Sequence, residues 1–159
     1  MSSVCISNYF LPDETERLLH ILDFENTEKT WYQFDNLSFY HEKLLSGLPK
    51  GLCDLSKAVG IEQWTHNHNN IPGMHYDKDE DLFHKTKEVR FPLCSIILYV
   101  KVENLLGAKL YVQGESTIVP ETGKVVYLQS GILHGVLKHI AGTRLTVNLN
   151  IWDYDINNS

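Results

Sequence analysis

The hydrophobic positions of the first 60 residues are spaced as in helices. In "LPDETERLLHIL", Asp13 is a candidate N-cap, acidic residues follow it, and the apolar residues after them fall along one side. This pattern predicts a helix over 13–23. A second, shorter helix is predicted near 37–46 or near 51–58, because "LPKGL" separates these two candidates with turn-forming residues.

From about residue 61 the pattern changes to short β-rich runs that are separated by turn residues. These runs are "IEQWTH", "GMHYD", "PLCSIILYV", "AKLYV", "STIV", "KVVYL", "HGVLKH" and "RLTVNLNIW". Short strands at this spacing are typical of a sandwich or a barrel. No linker or repeat separates them from the helical segment, so the helices should pack outside a sheet and share its core. The predicted fold class is mainly β with N-terminal helices, in one domain over 1–159 with a helical support over about 1–60.

The last run, "RLTVNLNIW" at 144–152, alternates most regularly between apolar and polar residues. Its apolar face consists of Leu145, Val147, Leu149 and Ile151. Its polar face consists of Arg144, Thr146, Asn148 and Asn150. In a generic alternating strand, the polar face is expected to meet solvent.

Composition and charge exclude several classes of protein. The chain has 159 residues, of which 43% are hydrophobic and 21% are charged, as is ordinary for a globular protein. The net charge of −6 and the absence of a basic run argue against a nucleic-acid partner. No apolar stretch approaches the roughly 20 residues that span a bilayer, so no membrane partner is expected. Three widely spaced cysteines, Cys5, Cys53 and Cys94, predict free thiols in the cytoplasm.

Eight histidines in a chain of this length raise the possibility of a metal site. In a strand, residues i and i+2 point the same way, so His75 and Asp77 in "HYD" would present an imidazole and a carboxylate side by side. His134 would complete the set from a second strand. Two imidazoles and one carboxylate form a facial triad that suits Fe(II) and leaves coordination positions open. Arg144 lies ten residues after His134, and its planar fork suits a carboxylate ligand.

With these residues in place, the sequence resembles the Fe(II)- and 2-oxoglutarate-dependent oxygenases, and most closely their small prolyl-4-hydroxylase-like branch. The resemblance covers residues 71–152 and extends to the N-terminal "ISNYFLPDETERLLHIL". It rests on "HYD", "RFPLCSIILYV", "LLGAKLYV" and "VPETGKVVYLQSGILHGVLKHIAGTRLTVNLNIW", which follow the order of the family's motifs.

The resemblance implies a double-stranded β-helix, or cupin-like jelly roll, over about 61–152. It also implies Fe(II), the co-substrate 2-oxoglutarate and O2, with His75, Asp77 and His134 as metal ligands. Arg144 matches the family residue that pairs with the C5 carboxylate of 2-oxoglutarate, Tyr99 matches a tyrosine that hydrogen-bonds it, and Thr146 adds a hydroxyl. The implied activity is hydroxylation of a prolyl residue in a protein or peptide, or alternatively of a free amino acid or other small molecule. Halogenases of this superfamily lack the carboxylate ligand, whereas Asp77 is present here.

The chain departs from the family pattern just before the HxD motif. Trp64, His66 and His68 occupy a segment where relatives often carry a tyrosine, so these three are candidate cleft-lining residues. Asn148 and Asn150 are further candidates, because they follow Arg144 on the same face of the last strand. Nucleic-acid demethylases of the superfamily carry a second arginine six residues after the first, and Asn150 stands at that position here.

Two other functions and one loop remain open at the level of sequence. His66, His68 and His134 would form a cupin-type three-histidine dioxygenase site, although the expected glutamate is missing and Arg144 would have no role. A non-catalytic jelly-roll binding module would keep the fold without iron. The charged segment 78–89 is expected to be either a solvated connection or a lid over the site.

Overall fold

The computed structural model describes residues 2–158, with the side chain of residue 158 excepted. The helices are α1 (Pro12–Ile21), α2 (Phe39–Ser46) and α3 (Glu80–Thr86), with short 3-10 turns at Leu55–Lys57 and Ile156–Asn158. The strands are β1 (Ser3–Ile6), β2 (Thr30–Gln33), β3 (Gly60–His66), β4 (Cys94–Gly107), β5 (Leu110–Val112), β6 (Val125–Gln129), β7 (His134–Val136) and β8 (His139–Trp152).

Both predicted N-terminal helices are present. Helix α1 begins at Pro12, and the side chain of Glu14 accepts a hydrogen bond from the backbone of Leu11 at 2.9 Å, which caps its first turn. Helix α2 matches the 37–46 candidate, whereas the 51–58 candidate contains only a 3-10 turn. No helix formed by residues 2–158 has the length and apolar character needed to span a bilayer.

The large sheet has six strands in the order β1-β6-β4-β8-β3-β2. The long strand β8 lies between β3 and β4 and is antiparallel to both. Both edge strands, β1 and β2, come from the first 60 residues, which the sequence pattern had predicted to be helical. Each is four residues long, which is too short to show a clear alternation of apolar and polar positions.

The small sheet pairs β5 with β7 and is extended by two isolated bridges. One bridge joins His75 to His134, and the other joins Leu110 to Ile118. The predicted runs "GMHYD" and "STIV" therefore contribute single bridges rather than strands. The other predicted runs correspond to β3, β4, β5, β6, β7 and β8.

Each face of the large sheet carries its own apolar core. On one face, helices α1 and α2 cover a cluster that includes Leu18, Leu44, Ile96, Val147 and Ile151. The opposite face turns toward the small sheet and carries a second, smaller cluster: Ile97, Tyr99, Leu110, Val112, Val126 and Leu128. The polar face of β8 lies on this second side and is buried, because Arg144 and Thr146 are 0% exposed and Asn150 is 4% exposed. The generic expectation of a solvated polar face is therefore wrong for this strand.

The charged segment 78–89 contains helix α3, which the sequence pattern did not predict. Asp79 caps this helix by accepting a hydrogen bond from the backbone of Leu82 at 3.0 Å. The backbone N–H of Asp79 also donates to the carbonyl of Arg90 at 3.0 Å, which brings the two ends of the segment together. The segment is therefore a closed, partly helical excursion that begins next to Asp77.

Candidate metal and co-substrate site

The three predicted metal ligands lie together beside strand β7 of the small sheet. The backbones of His75 and His134 exchange hydrogen bonds of 2.8 and 3.1 Å, so their rings stand with centroids 4.5 Å apart. Asp77 follows two residues after His75, and one ligand atom from each of the three residues lies within 4.8 Å of the others. No other group of three or more histidine, cysteine or acidic side chains within residues 2–158 is arranged so that it could hold a metal ion.

Backbone carbonyls fix which nitrogen of each imidazole faces the site. The Nδ1 atom of His75 lies 2.6 Å from the carbonyl of Gly73, and that of His134 lies 2.9 Å from the carbonyl of Ile132. A carbonyl only accepts, so Nδ1 carries the hydrogen in both rings and Nε2 is left to bind a cation. The Nε2 atoms lie 3.2 and 3.3 Å from the two carboxylate oxygens of Asp77.

The electrostatics of the triad favour an ionised carboxylate. Burial alone would raise the pKa of Asp77, but the adjacent imidazoles of His134 and His75 outweigh it and hold that pKa well below its usual range. The contact with Asp77 in turn raises the pKa of His75. The cluster thus holds a concentrated negative charge between two imidazoles, which a divalent cation would neutralise.

Strand register arranges the rest of the site in three cross-strand rows. Residues that pair directly across antiparallel strands point to the same face, and β8 pairs with β3 on one side and β4 on the other. The three rows, each written from β3 through β8 to β4, are Glu62, Asn150 and Ser95; Trp64, Asn148 and Ile97; and His66, Thr146 and Tyr99.

Six of these nine residues line a cavity of about 180 Å³ that contains the triad: Trp64, His66, Ser95, Ile97, Asn148 and Asn150. Four of the candidate cleft-lining residues do line it: Trp64, His66, Asn148 and Asn150. His68 does not, and its ring instead stacks on His139 with centroids 5.6 Å apart. His68 comes after the end of β3, so strand pairing does not place it in one of the three rows.

Arg144 and Tyr99 form a buried polar pair on the same face of the sheet. Both side chains are 0% exposed, and the guanidinium carbon lies 5.5 Å from the centroid of the tyrosine ring. Within residues 2–158, the Tyr99 hydroxyl and all three guanidinium nitrogens lack a hydrogen-bond partner at normal distance and angle, although the two groups are close enough to influence each other's pKa. A buried cation with unsatisfied donors costs several kcal/mol, so this arrangement indicates a place for an anionic ligand.

His66 connects the arginine to the metal cluster. It lies in the same row as Thr146 and Tyr99 and also lines the cavity of the triad. Burial, followed by the charge of Arg144, lowers the pKa of His66, with smaller influences from His75 and Asp77. Its Nδ1 atom is buried and has no hydrogen-bond partner among residues 2–158. His66 therefore lies between the triad, whose cavity it lines, and Arg144, which is buried beyond that cavity on the same face of the sheet.

The three-histidine alternative is not supported by this geometry. His68 points away from the cavity, and neither His66 nor His68 belongs to the cluster formed by His75, Asp77 and His134. Arg144, which that alternative leaves without a role, faces the site.

Two residues of the site were not singled out from the sequence. Ser95 donates to the Oδ2 atom of Asp77 at 2.7 Å, and Glu62 is a buried acid in the same row. Ser95 shares a strand face with Tyr99, and Glu62 shares one with Trp64 and His66. The period-2 alternation could thus have indicated both residues.

Comparison with known proteins identifies the fold. No protein-family model and no curated protein sequence matches the chain. Among solved structures, the viral collagen prolyl hydroxylase vCPH from Paramecium Bursaria Chlorella virus-1, in complex with 2OG, matches with a TM-score of 0.61 and 18% identity over 95% of this chain and 96% of that one. A prolyl-4-hydroxylase from Pseudomonas putida matches with a TM-score of 0.67 and 17% identity, over 95% and 84% of the two chains.

HygX from Streptomyces hygroscopicus, with nickel and 2-oxoglutarate bound, matches with a TM-score of 0.57 and 15% identity, over 95% and 82% of the two chains. These similarities extend over nearly the whole of this chain, including the N-terminal helices. The chain therefore has the jelly-roll fold of the 2-oxoglutarate–Fe(II) oxygenases, in the form found in prolyl hydroxylases. The predicted fold class is confirmed.

Proposed function

We propose that this protein is a cytoplasmic Fe(II)- and 2-oxoglutarate-dependent dioxygenase that acts as a hydroxylase. The observation that carries the proposal is the buried guanidinium of Arg144, whose donors have no hydrogen-bond partner within residues 2–158, on the sheet face that also bears the cavity of His75, Asp77 and His134. A metal triad alone is compatible with many chemistries. A triad with an inward-facing arginine is suited to a co-substrate that carries a carboxylate at each end.

The donor set fits Fe(II). Two imidazole Nε2 atoms and one carboxylate form a facial triad, which leaves positions for a chelating co-substrate and for O2. Asp77 fills the position that a halogenase would leave for a halide, so hydroxylation is favoured. The described cysteines, Cys5, Cys53 and Cys94, are free thiols, which supports a reducing compartment such as the cytoplasm.

The second half of the site fits 2-oxoglutarate. Arg144 and the Tyr99 hydroxyl would bind its C5 carboxylate, and Thr146, in the same row as Tyr99, would contribute its hydroxyl. Burial raises the pKa of Tyr99, which keeps its hydroxyl protonated and able to donate. Bound together, Fe(II) and 2-oxoglutarate would activate O2, the oxidant, so that one oxygen atom enters the C–H bond of the substrate and the other enters the succinate formed with CO2 from 2-oxoglutarate. The protein would orient them, and Trp64 and Ile97 contribute apolar surface to the lining of the cavity.

The proposed substrate is a prolyl residue of a protein or peptide. Two of the similar structures are prolyl hydroxylases, and one of them is named for collagen. Beside the cavity, Tyr76 and Phe91 are both 42% exposed, with ring centroids 6.2 Å apart. Together with the exposed Met74 and Val89, they give this side of the molecule an apolar surface that suits an extended peptide. A free amino acid or another small molecule is the alternative substrate.

Two measurements test the proposal in sequence. Anaerobic addition of Fe(II) and 2-oxoglutarate to the purified protein should produce the weak visible charge-transfer band of the chelate. A screen of proline-containing peptides and free amino acids should then find one that stimulates succinate release. If the band does not form and no compound stimulates succinate release, the protein is not a 2-oxoglutarate oxygenase. If only free amino acids stimulate release, the alternative substrate class replaces the peptide.

A further inference from the structure

We propose that Ser95, Asn150 and Glu62 form a buried hydrogen-bond chain that positions the carboxylate of Asp77 as a metal ligand. The inference rests on the proposed function, since it concerns the metal site of that function. None of these three residues belongs to the metal triad or to its sequence motif, and the inference assigns them a positioning role.

The first link fixes one oxygen of Asp77. The hydroxyl of Ser95 lies 2.7 Å from the Oδ2 atom of Asp77, and Ser95 is only 6% exposed. The other oxygen, Oδ1, has no hydroxyl donor and faces the Nε2 atom of His75 at 3.2 Å. Asp77 lies outside any strand, so strand pairing does not fix the backbone that carries its side chain. Ser95 therefore supplies a support that comes from the large sheet, with Oδ1 left for a cation.

The second link fixes Ser95. Its hydroxyl oxygen lies 2.7 Å from the Oδ1 atom of Asn150, on the neighbouring strand. Ser95 has one hydroxyl proton and two acceptors at equal distance, so the amide and the carboxylate compete for it. Both contacts hold the Ser95 oxygen between the two side chains, so Asn150 fixes the position from which Ser95 supports Asp77.

The third link anchors the amide of Asn150. Its Nδ2 atom donates to the Oε1 atom of Glu62 at 3.3 Å, and the same oxygen accepts from the indole of Trp152 at 3.1 Å. The other carboxylate oxygen of Glu62 lies 3.4 Å from the ammonium group of Lys29. Glu62 is 4% exposed, and burial raises its pKa, although its partners oppose that effect. A buried acid is costly to the fold, and this one has a chain of contacts that ends at the metal ligand.

The chain follows one row of the sheet. Glu62 pairs with Asn150 across β3 and β8, and Asn150 pairs with Ser95 across β8 and β4. Three adjacent strands therefore set the positions of three polar side chains, and backbone hydrogen bonds make the spacing between them rigid. Positioning a ligand from a rigid sheet is a common way to tune a metal site, and loss of such a partner typically lowers metal affinity by about 10- to 100-fold.

The test measures binding of Mn(II), a redox-inactive probe, to the full chain by calorimetry and by electron paramagnetic resonance. Ser95→Ala removes the hydroxyl and should weaken Mn(II) binding about 10- to 100-fold, with an altered resonance spectrum. Ser95→Thr keeps the hydroxyl and is the matched control, which should restore affinity and spectrum toward those of the wild type. Thermal melting establishes that each variant is folded.

Asn150→Ala tests the chain one link further from the metal and does not depend on how Ser95→Ala folds. It should weaken Mn(II) binding by a smaller factor, roughly threefold to tenfold, because Ser95 remains but loses its anchor. Wild-type affinity and spectrum in either folded alanine variant would overturn the chain. Failure of the wild-type protein to bind Mn(II) or Fe(II) at all would instead overturn the proposed function, so the two failures are distinguishable.

Discussion

The two faces of β8 are equally buried, but they are buried in different ways. Ile151 on the apolar face is 0% exposed and packs among the side chains of the helical core. Arg144 on the polar face is also 0% exposed, yet its guanidinium nitrogens have no hydrogen-bond partner within residues 2–158. The apolar face is packed within the described residues, whereas the polar face carries donors that no group among residues 2–158 satisfies. Burial alone therefore does not mark a site, whereas burial with unsatisfied donors does.

The same difference separates stability from function. Each large apolar side chain buried on the helical side contributes about 1.5–3 kcal/mol to the free energy of unfolding. The polar side has the opposite effect on stability, because an unpaired buried charge lowers the free energy of unfolding. The comparison predicts that changes to the two faces have opposite effects on stability and on ligand binding.

The largest effect should come from removing a proposed metal ligand from the polar side. His134→Ala deletes one of two imidazole nitrogens in the cluster, so Fe(II) or Mn(II) binding should be lost in titrations with either metal. His84→Ala is the matched control, because His84 is exposed on α3 and should bind metal as the wild type does. His66→Ala should also retain the metal. Loss of metal in His66→Ala together with its retention in His75→Ala would restore the three-histidine assignment.

A change on the apolar face should affect stability alone. Ile151→Ala creates a cavity in the helical core and should lower the free energy of unfolding by about 2–5 kcal/mol, as measured by urea denaturation. Mn(II) affinity of the folded protein should stay at the wild-type value. A large loss of Mn(II) affinity at a temperature where the variant is folded would mean that the two faces are not independent.

Arg144→Met should raise the stability of the protein and lower its affinity for 2-oxoglutarate. Methionine removes a buried charge without leaving a void, so the protein without ligand should become more stable by roughly 1–4 kcal/mol. The affinity for 2-oxoglutarate should fall by about 10- to 100-fold, since a charge-assisted hydrogen bond is worth about 1.5–3 kcal/mol. Arg144→Lys keeps the charge and should show no gain in stability. Thermal melting with and without 2-oxoglutarate measures both effects, and a destabilised Arg144→Met would indicate that Arg144 is structural.

The smallest expected effect is a pH dependence of the free energy of unfolding, which arises from a histidine on the helical side. His41 is fully buried, its Nδ1 atom accepts from the backbone of Ser38 at 3.1 Å, and its Nε2 atom faces Gln63 at 2.7 Å. Burial lowers its pKa, although the hydrogen bond to Gln63 opposes this. The unfolded chain then binds the proton more readily, so stability should fall as pH drops below about 6.5, the ordinary pKa of histidine.

Urea denaturation above and below that pH measures this loss of stability. His41→Gln removes the titrating ring and should lose less stability on acidification than the wild type does. Subtracting the two proteins cancels the contributions of the other titrating groups. An equal loss in both proteins would show that His41 does not titrate differently on folding.

The sequence predicted β8 and the triad because their patterns are local. The alternation from Arg144 to Trp152 is complete within one strand, and the HxD spacing needs only three residues. The burial of the polar face was not local, because it depends on β3 and β4 on either side and on the small sheet above. Ser95 and Glu62 were missed for the same reason, since register rather than sequence distance brings them to Asn150. Helix α3 was missed because charged residues fill a short helix as readily as a loop.

The closed base of the segment that carries α3 has a consequence for how this fold can vary among sequences. The backbone of Asp79 meets that of Arg90, and the Asp79 carboxylate accepts from the hydroxyl of Tyr154, near the end of the chain. Everything between Asp79 and Arg90 is therefore held at its base independently of its own length. We expect insertions, deletions or grafted sequences between residues 80 and 89 to leave Asp77 in place, so that this excursion can be exchanged as a cassette beside an unchanged metal site.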